Sequence, residues 1–219
     1  MPIRLVVALV ALLSAAQVYA LEWVDDARVA QLFRDAGVQG TFVLFDTRKD
    51  RLIGHHEARA RTPYVPASTF KVPHTLIGLA TGAVRDVDEV LPYGGKPQPF
   101  KTWERDMALR EAIALSNVPI YQALARRIGL ERERAHLIKL GYGNAEVGEA
   151  VDRFWLDGPL RISAVEQAQF LARLANGELP YAEAQQHSVR EIIFLERCGD
   201  AKLYEIGRAS CRERVFSSV

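Results

Sequence analysis

Pro66-Ala67-Ser68-Thr69-Phe70-Lys71 places a serine hydroxyl and a lysine amine three positions apart, between an extended run and an apolar, helix-patterned one. Residues i and i+3 of a helix share a face, with Cβ atoms about 5–6 Å apart, so Lys71 sits one turn above Ser68. A nucleophile with a base one turn away is the minimum equipment for acyl transfer. The ordinary alternative is an N-cap serine, the commonest use of serine at a helix start. Two features weigh against it. A capping box wants Glu or Gln where Lys71 stands, and a cation sits badly at the positive end of the helix dipole. Lys71 also leads into the apolar run Val72 to Leu79, and burial there lowers a lysine pKa until the neutral amine is a base.

Upstream, Pro63 and Pro66 keep residues 61–66 extended. Residues 41–46 and 51–55 are two β-rich runs joined by the polar Thr47-Arg48-Lys49-Asp50, a hairpin pattern. Residues 25–36 read as an amphipathic helix with Val29, Leu32 and Phe33 on one face and Gly37 as its stop. A helix followed by a hairpin predicts an antiparallel sheet with a helix against one face. Downstream, the Ser68 helix runs to about Ala80, and Tyr93 to Pro99 is a loop. Helical patterns follow at 109–115, 119–128 and 131–140, and residues 141–159 are irregular. Ser163-Ala164-Val165-Glu166 is a capping box that opens a helix to Ala175, with Gly177 after it. A last helix is expected at 188–196. The fold class is α+β of αβα type: an antiparallel sheet with flanking helices, and an all-helical subdomain after the hairpin.

A chain of 219 residues that is 49% hydrophobic can bury a sizeable core in one domain or two interlocked ones. Its 28 basic and 27 acidic residues form no charge block, which argues against nucleic acid or a membrane surface as partner. Residues 1–20 differ from the rest: Arg4, a short apolar stretch and Val18-Tyr19-Ala20 make a secretory leader with a cleavage site. The mature chain is therefore expected to begin near Leu21 and to work in the periplasm or outside the cell, away from the membrane. Cys198 and Cys211 are too few and too late to form a disulfide framework. His55, His56, His74, His136 and His187 lack metal spacing, so no metal site is expected and each reads as an isolated surface or core histidine. His55 and His56, adjacent on a strand, would face opposite sides. There is no Gly-x-Ser-x-Gly elbow.

Three further stretches have both an ordinary and a chemical reading. Ser116-Asn117-Val118 precedes Pro119, so Ser116 either caps the next helix or presents a hydroxyl that relays a proton to a leaving amine. Tyr142-Gly143-Asn144 follows the helix stop Gly141 and needs no function as a turn. Trp155, in Phe154-Trp155-Leu156-Asp157-Gly158-Pro159-Leu160, reads as a core aromatic whose N–H needs a partner.

Taken in order, Ser-Thr-Phe-Lys, Ser-Asn-Val, Tyr-Gly-Asn and the Trp155 loop resemble the class D (OXA-type) serine β-lactamases, over about residues 22–204. The resemblance implies that Ser68 opens the lactam ring of penicillin-type antibiotics and carries the acyl group. It implies that Lys71 takes up CO2 as a carbamate and serves as base, with no other cofactor, and that Ser116 passes a proton to the lactam nitrogen. Val118 would wall off the carbamate, Trp155 would donate its indole N–H to it, and Tyr142, Gly143 and Asn144 would shape the adjoining loop.

The chain departs from the family in lacking Lys-Thr-Gly on a late strand. Ala201-Lys202-Leu203-Tyr204 begins a strand, but the run from Glu205 is polar and aperiodic and is expected to end the chain without a sheet. It also resembles the translation of a sequencing-adapter oligonucleotide. The organisation expected is therefore a leader over 1–20, an incomplete class D domain over 21–204 and a non-native tail over 205–219. This polypeptide would then fold poorly and hydrolyse little, the activity belonging to a longer parent. Rival functions are an extracellular β-lactam sensor and a penicillin-binding transpeptidase. A sensor needs membrane spans, and the Tyr-Gly-Asn and Trp155 motifs argue against a transpeptidase.

Overall fold

A computed structural model describes residues 21–198, 201–208 and 214–218, so the expected leader at 1–20 lies outside the described residues. The hairpin forms as its pattern predicts. Strand β2 (Phe42–Asp46) pairs antiparallel with β3 (Arg51–His55), Phe42 opposite His55 and Asp46 opposite Arg51. A strand that the hairpin pattern does not reveal, β1 (Glu22–Asp25), lies parallel on the other side of β3, giving the order β1-β3-β2. The sheet is thus mixed rather than wholly antiparallel. The helix between β1 and β2 supplies the longer connection that parallel pairing requires. Gly54 in β3 is fixed by crowding, since an added Cβ would collide with the Phe42 carbonyl and the Trp23 ring.

Helix α1 (Ala27–Asp35) starts at Asp26, whose carboxylate accepts from the Arg28 and Val29 amides. Its expected apolar face is not buried. No α1 residue is buried and Leu32 is 66% exposed. The helix meets β3 through Phe33, whose ring stacks on His55 at 4.7 Å, so one aromatic contact does the work expected of a stripe. His56 is not on the strand. It turns into the left-handed region (φ 61°), which ends the ladder and opens α2 (Glu57–Arg61).

The helical body is built around α3 (Lys71–Ala80), which is buried from Lys71 through Gly78. Packed on it are α4 (Leu109–Ala114), α5 (Val118–Ile128) and α8 (Glu183–Ile193). Helices α6 (Leu130–Leu140) and α7 (Ala164–Ala175) complete the body. Short β4 (Val90–Leu91) and β5 (Met107–Ala108) close the loop between α3 and α4. The main core joins Phe70, Leu76, Tyr121, Leu124, Phe154 and Trp155. A smaller one, of Leu52, Ala60 and Val165, lies under the sheet.

The last helix starts earlier than expected and stops at Ile193, because Phe194 turns to extended backbone and begins β6 (Phe194–Cys198). The chain beyond Tyr204 does form a sheet. Strand β7 (Ala201–Arg208) pairs with β6 on one side and with β8 (Arg214–Ser218) on the other, Arg208 opposite Arg214. Ladder bonds on both sides satisfy the backbone of a run whose polarity had suggested no strand. Strand β7 also passes beside the turn that carries Ser68.

The capping box of α7 is complete: Ser163 Oγ accepts from the Glu166 amide at 3.2 Å, and the Glu166 carboxylate accepts from the Ser163 amide at 2.7 Å. Ser163→Ala is expected to cost about 1 kcal/mol, which in a chain of this size lowers the thermal midpoint by roughly 2–4 °C. Thermal unfolding followed by circular dichroism checks this.

Candidate active site

Ser68 lies in a 3₁₀ turn, Ala67–Phe70, that continues without a break into α3. Ala67 is held in the left-handed region (φ 47°), where a non-glycine residue costs on the order of 1–3 kcal/mol and persists only if its surroundings fix it. They do. Its amide donates to the Trp155 carbonyl at 2.9 Å, and the next turn residue but one, Thr69, ties its hydroxyl to the Pro66 carbonyl at 2.7 Å. Ser68 is not an N-cap, since that position is held by Pro66 for the turn and by Phe70 for α3, which removes the ordinary reading of this serine.

Ser116 occupies the corner between α4 and α5, also left-handed (φ 53°). The cap of α5 is its neighbour: Asn117, fully buried, accepts from the Ile120 amide at 3.1 Å. The Ser116 hydroxyl points instead at the Ser68 turn and donates to Ser68 Oγ at 2.7 Å. Lys71 Nζ closes the triangle, 3.1 Å from Ser68 Oγ and 3.3 Å from Ser116 Oγ. Two of the chemical candidates thus meet around the third.

Lys71 is 1% exposed. Burial pulls its pKa from 10.5 down to about 7, because an ammonium loses its hydration in the core. The Tyr121 ring lies 5.5 Å from Nζ. Thr75 donates to the Lys71 carbonyl at 2.8 Å, so its single proton is committed and Tyr121 is the donor in their 2.8 Å hydroxyl contact. Burial pushes the Tyr121 phenol up, which keeps it a donor.

Trp155 is fully buried against Phe70 (5.6 Å), Phe154 (4.9 Å) and His74 (5.0 Å). Its Nε1–H has no acceptor, an omission worth about 1–3 kcal/mol in a core. Val118 is half-buried at the first position of α5, two residues past Ser116. Tyr142, Gly143 and Asn144 form a clamp. The Tyr142 hydroxyl donates to Gln167 at 2.8 Å and its ring packs on Phe70 and Phe170. Gly143 (φ 53°) leaves no room for a Cβ, which would strike the Arg161 carbonyl. Asn144 accepts from the Arg161 amide and donates to the Pro159 carbonyl. The motif thereby fixes the far end of the Trp155 loop.

His74 is not isolated, as its spacing had suggested. It is fully buried and its Nε2 lies 2.7 Å from Oε1 of Glu133, also fully buried. Sequence reading missed Glu133, Tyr121 and Thr75. The available signal was helical spacing: His74 and Thr75 follow Lys71 by three and four positions, within reach of one face.

A Ser-x-x-Lys turn, a second serine at an interhelical corner and a mixed α+β frame define a serine penicillin-recognising domain. The penicillin binding protein transpeptidase domain matches residues 40–194. Beta-lactamase OXA-5 of Pseudomonas aeruginosa is 45% identical over 164 residues, 75% of this chain and 61% of that protein. Beta-lactamase OXA-48 of Klebsiella pneumoniae is 38% identical over 181 residues, covering 83% of this chain and 68% of that protein. The crystal structure of FUS-1 (OXA-85), a class D β-lactamase from Fusobacterium nucleatum subsp. polymorphum, superposes with a TM-score of 0.80 at 41% identity, covering 83% of this chain and 75% of that one. The chain belongs to the class D β-lactamase family. It spans about three fifths of the length of relatives such as OXA-5.

The buried amine has a testable pH signature. The folded value, about 7, lies below the unfolded one, 10.5, so between them the unfolded chain holds more protons and stability gains with rising pH. Lys71→Met removes that dependence. Its stability advantage over the wild type should be largest below pH 7, narrow as pH rises and reach its minimum above pH 10.5. Denaturant midpoints in bicarbonate-free buffer measure the gap. A gap that does not change with pH means that Lys71 is not a buried, easily neutralised amine.

Proposed function

We propose that the chain is the acylating part of an enzyme that hydrolyses the β-lactam ring of penicillin-type antibiotics and so confers resistance to them. The observation that carries this reading is the triangle of Ser68, Lys71 and Ser116 around a fully buried amine. Ser68 Oγ bonds to the lactam carbonyl carbon while its proton leaves along the Lys71 contact. The lactam C–N bond breaks as the Ser116 hydroxyl delivers its proton to the nitrogen and takes in exchange the one that Lys71 accepted, leaving an ester on Ser68. Water then cleaves the ester, releases the carboxylate product and restores the Ser68 hydroxyl.

Two features of the site fit a carbamate on Lys71. Only an unprotonated amine attacks CO2, and burial holds Lys71 near 7. The buried Trp155 N–H lacks the acceptor that a carboxylate oxygen would provide. When present, the carbamate supplies a carboxylate-like base for serine and water alike. Val118 is assigned as its apolar wall, and Tyr142 to Asn144 as the support of the Trp155 loop.

The partner is a small-molecule β-lactam rather than nucleic acid. The leader-like residues 1–20 support a periplasmic or secreted location. Among the described residues no helix is long and apolar enough to cross a membrane. The division into an incomplete class D domain over 21–204 and a non-native tail over 205–219 is likewise a proposal. A genomic reading frame running through 205–219 overturns it.

The reading is tested with a chromogenic cephalosporin, with and without bicarbonate. The proteins compared are the 219-residue chain and a chimera that continues after Tyr204 with the C-terminal segment of OXA-85. The chimera should turn over rapidly and faster with bicarbonate, and the 219-residue chain little. Ser68→Ala should lower the chimera's rate on the order of a thousand-fold or more. A single stoichiometric burst instead selects a sensor or a transpeptidase.

A further inference from the structure

His74 and Glu133 form a fully buried polar pair in the main core, and neither enters the chemistry proposed above. Stability alone is a poor reason for such a pair, because well-packed hydrocarbon of similar volume usually holds two helices at least as well. What the pair does fix is the orientation of an imidazole. His74 lies one turn past Lys71 on α3, and the bond from Glu133 on α6 sets the rotation of its ring.

That ring touches the aromatic side chains around the amine. It meets Trp155 edge-on at 5.0 Å and 63° and lies 4.9 Å from Phe70 and 5.7 Å from Tyr121, whose own ring faces Lys71 Nζ. Among the described residues, five buried side-chain atoms lack a hydrogen-bond partner. Three of them belong to this group: His74 Nδ1, Glu133 Oε2 and Trp155 Nε1. The polar tension of the core is thus concentrated where α3, α6 and the Trp155 loop meet.

We propose that the His74–Glu133 pair is a positioning device for Trp155. Glu133 fixes the imidazole plane on which the indole rests, and so keeps the indole in the setting that stabilises the carbamate on Lys71. His74 and Glu133 act through Trp155 and are not catalytic residues. The inference rests on the carbamate reading above.

The test labels Lys71 with [13C]bicarbonate and reads the carbamate resonance by NMR, alongside the thermal midpoint in bicarbonate-free buffer. It uses the 219-residue chain, with the chimera run in parallel. Glu133→Leu removes the anchor but keeps the volume. It should raise the bicarbonate concentration for half-labelling about tenfold without lowering the thermal midpoint. Glu133→Gln keeps an acceptor for Nε2 and should stay within about twofold of the wild type. Leu52→Ala, in the separate core under the sheet, should lower the midpoint and leave half-labelling unchanged. If Glu133→Leu fails to fold, the double variant His74→Phe/Glu133→Leu keeps a ring against Trp155 without the anchor and is held to the same expectation. Labelling of Glu133→Leu equal to the wild type overturns the positioning role, as does a shift in Leu52→Ala that follows its lost stability. A wild type that takes no label overturns the carbamate reading itself, and this inference with it.

Discussion

A lysine amine with almost no access to water is the constraint on which the rest of the site depends. An ammonium in that position would be strongly disfavoured, so Lys71 is held near neutrality at ordinary pH by its surroundings alone. Those surroundings exist only because α3 is buried on every side, with α4, α5 and α8 around it and the Trp155 loop over its first turn. Peel any of these away and the amine regains water, charge and an ordinary pKa. The helical subdomain therefore does more than support Ser68. It sets the pKa of Lys71.

Bringing two hydroxyls to that amine takes backbone that few residues adopt. Ala67 and Ser116 both stand in the left-handed region, one beside Ser68 and the other being itself the second serine. Each is locked by a neighbour rather than by itself. The Trp155 carbonyl holds the Ala67 amide, and Asn117 takes over the capping of α5. The clamp at Tyr142, Gly143 and Asn144 acts one step further out. It pins residues 159–161 and thereby the loop that holds Ala67. Local strain at the site is balanced by hydrogen bonds made elsewhere.

What could be read from the sequence follows from how far each signal reaches along the chain. The hairpin, the helices of the body and the α7 capping box are written in residues a few positions apart, and they form nearly as expected. The Ser68–Lys71 spacing is equally local. Three things were not legible, each because its partner is remote. Strand β1 exists only through β3, some thirty residues on. The face of α1 needed a sheet surface to cover it, and receives one ring. His74 looked isolated because Glu133 is on another helix, and no spacing rule joins positions 59 apart. Composition misled at the C-terminal end, where a polar run pairs as β7 because a ladder asks for backbone rather than for apolar side chains.

The distribution of these departures from the rules of stable packing is itself informative. Several elements obey them. Asp26, Asn117 and Ser163 cap properly, Gly141 ends α6 in the left-handed region, and surface charges pair across neighbouring elements. Many of the exceptions gather in one place: a buried amine, two of the left-handed non-glycine residues, an indole N–H without an acceptor, and a buried acid and imidazole each with an idle atom. Each alone has an ordinary explanation, but independent defects would not share one aromatic wall. Proteins keep such violations where function requires them and obey the rules elsewhere. Several of these unmet needs are also complementary, since a neutral amine that can gain an acidic group and an N–H that lacks an acceptor are two halves of one interaction. On that argument the carbamate proposed for Lys71 answers both needs at once, and the polar seam behind Trp155 belongs to the same construction.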